Sequence, residues 1–279
     1  MRFTEQQVKQ FKTDGYLVVP EFFNSREVEA LQAEIDRLKR VGKLRNVATD
    51  GDGKTHSATK ANLQLCPMSP HSQLFKTLPF ATKVRDAVSQ LIGDPVVLHL
   101  DQVFLKPAGN GAGTNWHQDN AYFKVENPLM GTAMWTAVHD SYVENGTLRV
   151  IPGSHLDKLE HSRDPDSDHH IRCYPGEDNV VYATMKAGGV IFFAYGVAHA
   201  TGPNTTASDR AGAAYHFLNG NAIPGDYFTS QGDAMPHPFL TGPGYDGGAS
   251  AYGEKLDGAW ESVVEGACPP KSAALKQPG

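Results

Sequence analysis

The sequence predicts a mainly β fold, an antiparallel sandwich or barrel with α-helices at its N-terminal end. Three features predict it. Helical periodicity is concentrated in the first third of the 279 residues. From about residue 95, short apolar runs alternate with Gly, Pro, Asn and Asp. No amphipathic helix stands between those runs, as a parallel sheet would need. One unit is expected over 1–279, with a helical part at about 1–94, a β core at about 95–220 and a C-terminal extension at about 221–279.

Thr4 is placed to cap a first helix running to about Lys12 and ended by Asp14-Gly15. A short buried strand then follows over 16–20. Asn24, with Glu27 three residues on, has the form of a capping box. Val28, Leu31, Ile35 and Leu38 follow at helical spacing and form one apolar stripe, with Gly42 as the stop. A third helix is expected over 80–92, with Val84, Val88 and Leu91 on one face and Gly93 after it. Strands are expected at 95–106, 133–139, 147–151, 190–195 and 212–218. Two long polar segments, 157–178 and 221–253, interrupt this pattern; loops of that length in a compact domain usually carry function or are disordered. The Gly-rich stretch from Thr241 reads as a weakly structured tail.

Composition narrows the function. Hydrophobic residues make up 40% and charged residues 20%, and the net charge is −6, which argues against nonspecific nucleic-acid binding. No apolar run approaches the roughly 20 residues that cross a bilayer, and the N-terminus is too polar for a secretory signal. Cys66, Cys173 and Cys268 are odd in number, widely spaced and without a CxxC pair. They read as buried thiols in a reducing cytoplasm.

The stretch from Asn115 to Phe123 reads NWHQDNAYF. In an extended strand, His117 and Asp119 point to one face while Gln118 points away. Such a pair is two-thirds of the two-histidine, one-carboxylate triad of non-haem Fe(II) oxygenases, although alone it equally describes a solvated strand edge. A second cluster shifts the balance. His199 follows the apolar run VIFFAY, and Arg210 opens the small-residue run AGAAY. An arginine entering such a strand is costly to bury without an anion; a surface pair with Asp209 is the plainer alternative.

These motifs together resemble the phytanoyl-CoA dioxygenase-like Fe(II)/2-oxoglutarate oxygenases. The resemblance spans about Phe11 to Leu218 and rests on Trp116 to Asp119 (WHQD), Trp135-Thr136, the run NGTLRVIPGSH at 145–155, and His199 with Arg210. It implies a double-stranded β-helix, or jelly roll. It also implies iron ligation by His117, Asp119 and His199, a clamp on the distal carboxylate of 2-oxoglutarate from Arg210, and assisting hydroxyls from Thr201 and Thr136. Gln102 and Lys106 are implied as contacts to cosubstrate or substrate. The implied chemistry uses Fe(II), 2-oxoglutarate and O2 to hydroxylate an unactivated C–H bond, releasing succinate and CO2. A carboxylate at 119, where halogenases of the family carry a small residue, points to hydroxylation or desaturation rather than halogenation.

For the substrate, the loop His161 to Arg172 contains two arginines, Arg163 and Arg172, and three histidines, His161, His169 and His170. Folded over the iron it would suit a small anion such as a phosphonate; balanced by Asp164, Asp166 and Asp168, it is equally a solvated loop. Asn120 and Tyr122 continue the face of the ligand pair as candidate substrate contacts. Asn62, in the alternating series Lys60, Asn62, Gln64, is another, although a polar exposed edge is the plainer reading of that series. Ser154-His155 reads as structural or cavity-facing. The leading expectation is a hydroxylase of a small polar, anionic metabolite such as an aminoethylphosphonate-like compound, with no nucleic-acid or membrane partner. The alternatives are an acyl-CoA or natural-product hydroxylase, and a non-catalytic metal-binding jelly roll.

Overall fold

A computed structural model describes residues 1–230, 232–233 and 235–268. The expected N-terminal helices form where their caps put them. Helix α1 (Glu5–Asp14) starts at Thr4, which exchanges hydrogen bonds with Gln7 in a capping box, and stops at left-handed Gly15. Helix α2 (Ser25–Arg40) has the Asn24–Glu27 capping box and buries Leu31, Ile35 and Leu38. A short helix, α3 (Gln73–Thr77), has no counterpart in the sequence reading. Helix α4 (Thr82–Ile92) buries Val84, Val88 and Leu91.

The strands are β1 (Tyr16–Val19), β2 (Arg45–Asn46), β3 (Leu63–Leu65), β4 (Val96–Lys106), β5 (Thr114–His117), β6 (Gly131–Ala137), β7 (Leu148–Val150), β8 (Ser162–Arg163), β9 (Ile171–Arg172), β10 (Val181–Tyr182), β11 (Val190–Ala194), β12 (His199–Thr201) and β13 (Arg210–Asn219). They form an antiparallel seven-stranded sheet of order β1-β11-β6-β13-β4-β3-β2, a four-stranded sheet of order β10-β7-β12-β5, and the small β8-β9 pair. This is the jelly-roll arrangement that the resemblance implied.

Alternation divides the large sheet into two faces. Val103, Ala213, Phe192 and Tyr215 join the main core; Phe192 meets Phe3 and Phe22, and the Tyr215 hydroxyl donates to Phe75 O on α3 at 2.8 Å. Leu100, Gln102, Phe104 and Lys106 of β4 and Arg210, Ala214 and His216 of β13 face a cavity between the two sheets. The functional side chains therefore stand on the face opposite the helices.

The C-terminal part departs from expectation. The stretch after Thr241 is structured, with helices at Ala249–Tyr252 and Trp260–Ala267. Leu240, Leu256, Trp260 and Val264 are buried in the main core, and Trp260 Nε1 donates to Glu27 on α2 at 2.6 Å. Its glycines serve turns between packed anchors, and the anchors are too sparse to register as a periodic pattern. Residues 269–279 of the expected extension lie outside the described residues. Among the described residues, no helix is long and apolar enough to cross a membrane.

Candidate metal centre

Two antiparallel strands bring two histidines face to face. His199 pairs directly with His117 across β12 and β5, so both imidazoles project from one face with ring centroids 4.1 Å apart. Each Nδ1 lies against a backbone carbonyl two residues earlier in the chain: His117 against Asn115 O at 2.9 Å, His199 against Val197 O at 3.0 Å. A proton on each Nδ1 satisfies both contacts and leaves both Nε2 lone pairs free to ligate. Burial, reinforced by His199, pushes the His117 imidazole down to about 3, so it stays in the neutral, ligating form.

Asp119 reaches the same point by a different route from the one expected. β5 ends at His117, and Asp119 has right-handed helical dihedrals (φ −57°, ψ −33°) at the start of α5 (Asn120–Phe123). A turn, not continued alternation, aims its carboxylate. Oδ1 lies 3.7 Å from His117 Nε2 and 3.6 Å from His199 Nε2. Burial opposes its charge, but His199, His216 and His117 outweigh that and hold the carboxyl below its usual range. The three residues form a compact group suited to one metal ion, their ligand atoms all within 4.8 Å of one another. Two neutral imidazole nitrogens and one carboxylate oxygen on one side of a point are the donor set of a facial Fe(II) site.

The neighbouring end of the cavity is cationic. Arg210 pairs with Lys106 across β13 and β4, so two positive side chains lie side by side, a destabilising arrangement unless an anion joins them. Arg210 is 1% exposed, which excludes the surface pair with Asp209; Asp209 instead takes Lys39. The Arg210 guanidinium donates to the carbonyls of Asn145 and Gly146 and stacks over Trp135 at 5.6 Å. Gly212 makes room for that indole, since a Cβ there would fall 2.4 Å from the ring. Burial alone lowers the guanidinium to about 9. Lys106 donates to Ala112 O and Gly202 O, and burial, with Arg210 beside it, pushes its ammonium well below its usual range. Asp119 is the only acidic side chain among the described residues lining this cavity, so the two cations are left without a counter-charge of their own. Thr201 also lines this end, its hydroxyl accepting from Thr114 N at 3.0 Å.

The other expected residues divide. Gln102 and Tyr122 line the cavity; Gln102 Oε1 accepts from Gln64 at 3.0 Å, and the Tyr122 hydroxyl accepts from Ile171 N at 2.8 Å. Thr136 does not line it. It alternates with Trp135 and is buried on the helix-packed face, its hydroxyl without a hydrogen-bond partner among the described residues. Asn120 closes a local loop, its side chain both donating to and accepting from the Val125 backbone. Asn62 is buried and donates to Thr114 Oγ1 at 3.3 Å without reaching the cavity wall. Arg163 donates to His170 O and Gly53 O, and Arg172 lies over Tyr174 at 5.3 Å; neither lines the cavity. Gln118 turns away as expected, donating to three carbonyls, those of Ser154, Asp157 and Gly196. Ser154 and His155 are structural: the Ser154 hydroxyl bridges Ile151 O and Ala198 N, and His155 abuts Lys12 O.

Several lining residues stand where the plainer sequence reading did not put them. Gln64, expected at an exposed edge, is buried in the cavity wall. Cys66, expected to be buried, is exposed at the cavity rim. His169 and His170 come from the 157–178 segment, which closes over the site: His170 stacks nearly parallel to His117, at 6.4 Å and 9°. This cover is tied to the 45–57 stretch by Thr49 Oγ1 donating to Pro165 O and by Arg45 to Asp168. His216 also lines the cavity and contacts Asp119. Strand alternation from Arg210 was the available signal for it.

A double-stranded β-helix holding a His-Asp-His cluster between its sheets is the framework of a non-haem metal oxygenase. Residues 11–212 match the model of the phytanoyl-CoA dioxygenase (PhyH) family. The chain belongs to that family of Fe(II)- and 2-oxoglutarate-dependent dioxygenases. It is 28% identical over 257 residues to the ectoine dioxygenase of Sphingopyxis alaskensis, covering 84% of this chain and 81% of that one. It is 25% identical over 266 residues to a phytanoyl-CoA dioxygenase domain-containing protein 1 homolog of Dictyostelium discoideum, covering 79% and 93%. Among solved structures, EctD from S. alaskensis with 2-oxoglutarate and 5-hydroxyectoine shares the fold at a TM-score of 0.64 and 23% identity, covering 91% of this chain and 86% of that one. The nogalamycin epimerase SnoN matches at 0.64 and 24%, covering 77% and 82%.

Proposed function

We propose that this chain hydroxylates an unactivated C–H bond of a small polar molecule that carries no net negative charge. The observation that carries this reading is the division of one cavity of about 240 Å3 into a cationic end and an uncharged end, with the His117-Asp119-His199 cluster between them. In this reading the two Nε2 atoms and Asp119 Oδ1 hold Fe(II), and Arg210 with Lys106 receives the distal carboxylate of 2-oxoglutarate, with Thr201 beside it. Iron and 2-oxoglutarate, when bound, supply the activation of O2 for hydroxylation, with succinate and CO2 as co-products. Gln64, Gln102 and Tyr122 offer uncharged hydrogen-bonding groups to the substrate; Leu100, Phe104 and Phe123 supply apolar walls that exclude water.

The expectation of an anionic substrate rested on the 161–172 loop with its two arginines and three histidines; Arg163 and Arg172 bond and stack elsewhere, and of the loop only His169 and His170 line the cavity. A phosphonate or an acyl-CoA phosphate group would enter the substrate end with no lysine or arginine among the described lining residues there to meet it. Succinate release, measured with Fe(II) and 2-oxoglutarate over a panel of neutral, zwitterionic and anionic compounds, tests the reading. Stimulation by neutral or zwitterionic members is expected. Stimulation by phosphonates or acyl-CoAs alone would overturn it.

A further inference from the structure

A carboxylate can offer a metal one oxygen or two, and the choice decides how many positions remain for cosubstrates. Here the two oxygens of Asp119 have different surroundings. Oδ1 faces His117 and His199, whereas Oδ2 lies 3.1 Å from His216 Nε2. His216 reaches it from β13, on the cavity face three alternations past Arg210. The ring is 3% exposed and held between Phe123, at 5.4 Å, and Tyr195, at 5.9 Å. Its Nδ1 is buried with no hydrogen-bond partner among the described residues. A proton there would leave a buried N–H donor without an acceptor, the costlier arrangement. The surroundings therefore select the tautomer with hydrogen on Nε2, which donates to Oδ2.

We propose that His216 is a positioning residue that holds Asp119 to one-oxygen coordination, an inference that rests on the metal-site reading above. With Oδ2 engaged by a donor from a rigid central strand, the carboxylate is restrained from rotating to present both oxygens. Asp119 would then take one position on the metal alongside His117 and His199, leaving the remaining positions for cosubstrates. The large sheet thereby orients a ligand supplied by the loop after the small sheet. Outer partners of this kind typically change metal affinity 10- to 100-fold when removed.

The test is anaerobic titration of the full chain with Fe(II) alone, alongside thermal melting of the metal-free protein. His216→Phe keeps a planar ring but no donor and is expected to weaken Fe(II) binding about tenfold or more. His216→Gln retains an N–H donor and is expected to recover most of that loss. Should the Phe variant fail to fold, His216→Leu replaces it in the comparison with Gln. Equal Fe(II) affinity in the donor-less variant and the parent overturns the proposal. So does a Gln variant no better than the donor-less one. Failure of the metal site itself is distinguishable, because the parent would then bind Fe(II) no better than Asp119→Ala.

Discussion

The two ends of the cavity are built by different means. The cationic end is made by strands in register: Arg210 of β13 stands opposite Lys106 of β4, with Gly212 leaving room for Trp135 beside them. The end beyond the metal cluster adds segments outside the sheets, with Tyr122 and Phe123 from a single-turn helix and His169 and His170 from the 157–178 cover. Regular strands hold two charges at fixed spacing, as the proposed role in binding an unchanging cosubstrate requires. A cover joined by loop hydrogen bonds is free to differ in sequence, and hence in substrate, without disturbing that spacing.

This contrast is open to direct attack. The largest expected effect comes from Arg210→Met, which removes one cation of the pair. 2-Oxoglutarate affinity, measured anaerobically with Fe(II) present, is expected to fall about 100-fold, the scale of a lost charged hydrogen bond. Unchanged affinity would mean that the cationic end does not hold the cosubstrate.

A second effect concerns the histidines packed behind the site. Burial, aided by His216 and His237, lowers His99 to about 3, against about 6.5 in an unfolded chain. Between those values the unfolded state takes up a proton that the folded state does not, so stability falls as pH falls from 6.5 toward 3. At pH 5 this is about 2 kcal/mol from His99. Urea unfolding of His99→Phe at pH 7 and pH 5 is expected to show a smaller acid loss than the parent by about that amount. Identical losses would show that His99 does not contribute.

The smallest effect tests the cover. Asn115 Nδ2 donates to both carboxylate oxygens of Asp164, at 3.0 and 3.2 Å, while Asn115 O orients His117. Asp164→Ala is expected to raise the rate of proteolytic cleavage within 157–178 about tenfold, the equivalent of one lost hydrogen bond. Its 2-oxoglutarate affinity is expected to stay within about twofold of the parent. A matching loss of cosubstrate affinity would show that the two ends are not independent.

Legibility followed the same division. Thr4, Asn24 and Glu27 marked helix starts because a cap is a contact between residues three apart. Alternation within β4 and β13 was readable, and with it the shared face of Lys106 with Gln102 and of Arg210 with His216. Thr136 was misplaced although alternation separates it from Trp135: the motif indicated proximity to the site, whereas the pleat turns adjacent residues to opposite faces. The outward course of Arg163 and Arg172 was not readable, since their near partners His170 and Tyr174 do not fix it and the docking of the 157–178 segment on the distant 45–57 stretch does.

By itself the sequence determined the β-rich class and the capped starts of α1 and α2, because caps and alternation are short-range properties, while its resemblance to the family pointed to His117, Asp119, His199 and Arg210. Only the tertiary structure decided that Asp119 is aimed by a helical turn, that His216 engages its second oxygen, that Gln64 joins the wall and that 157–178 closes the cavity. These depend on cross-strand register and on loop contacts between segments up to about a hundred residues apart, as in the 97-residue separation of Asp119 and His216. No local pattern encodes such contacts, since they form only when the two sheets are packed against each other.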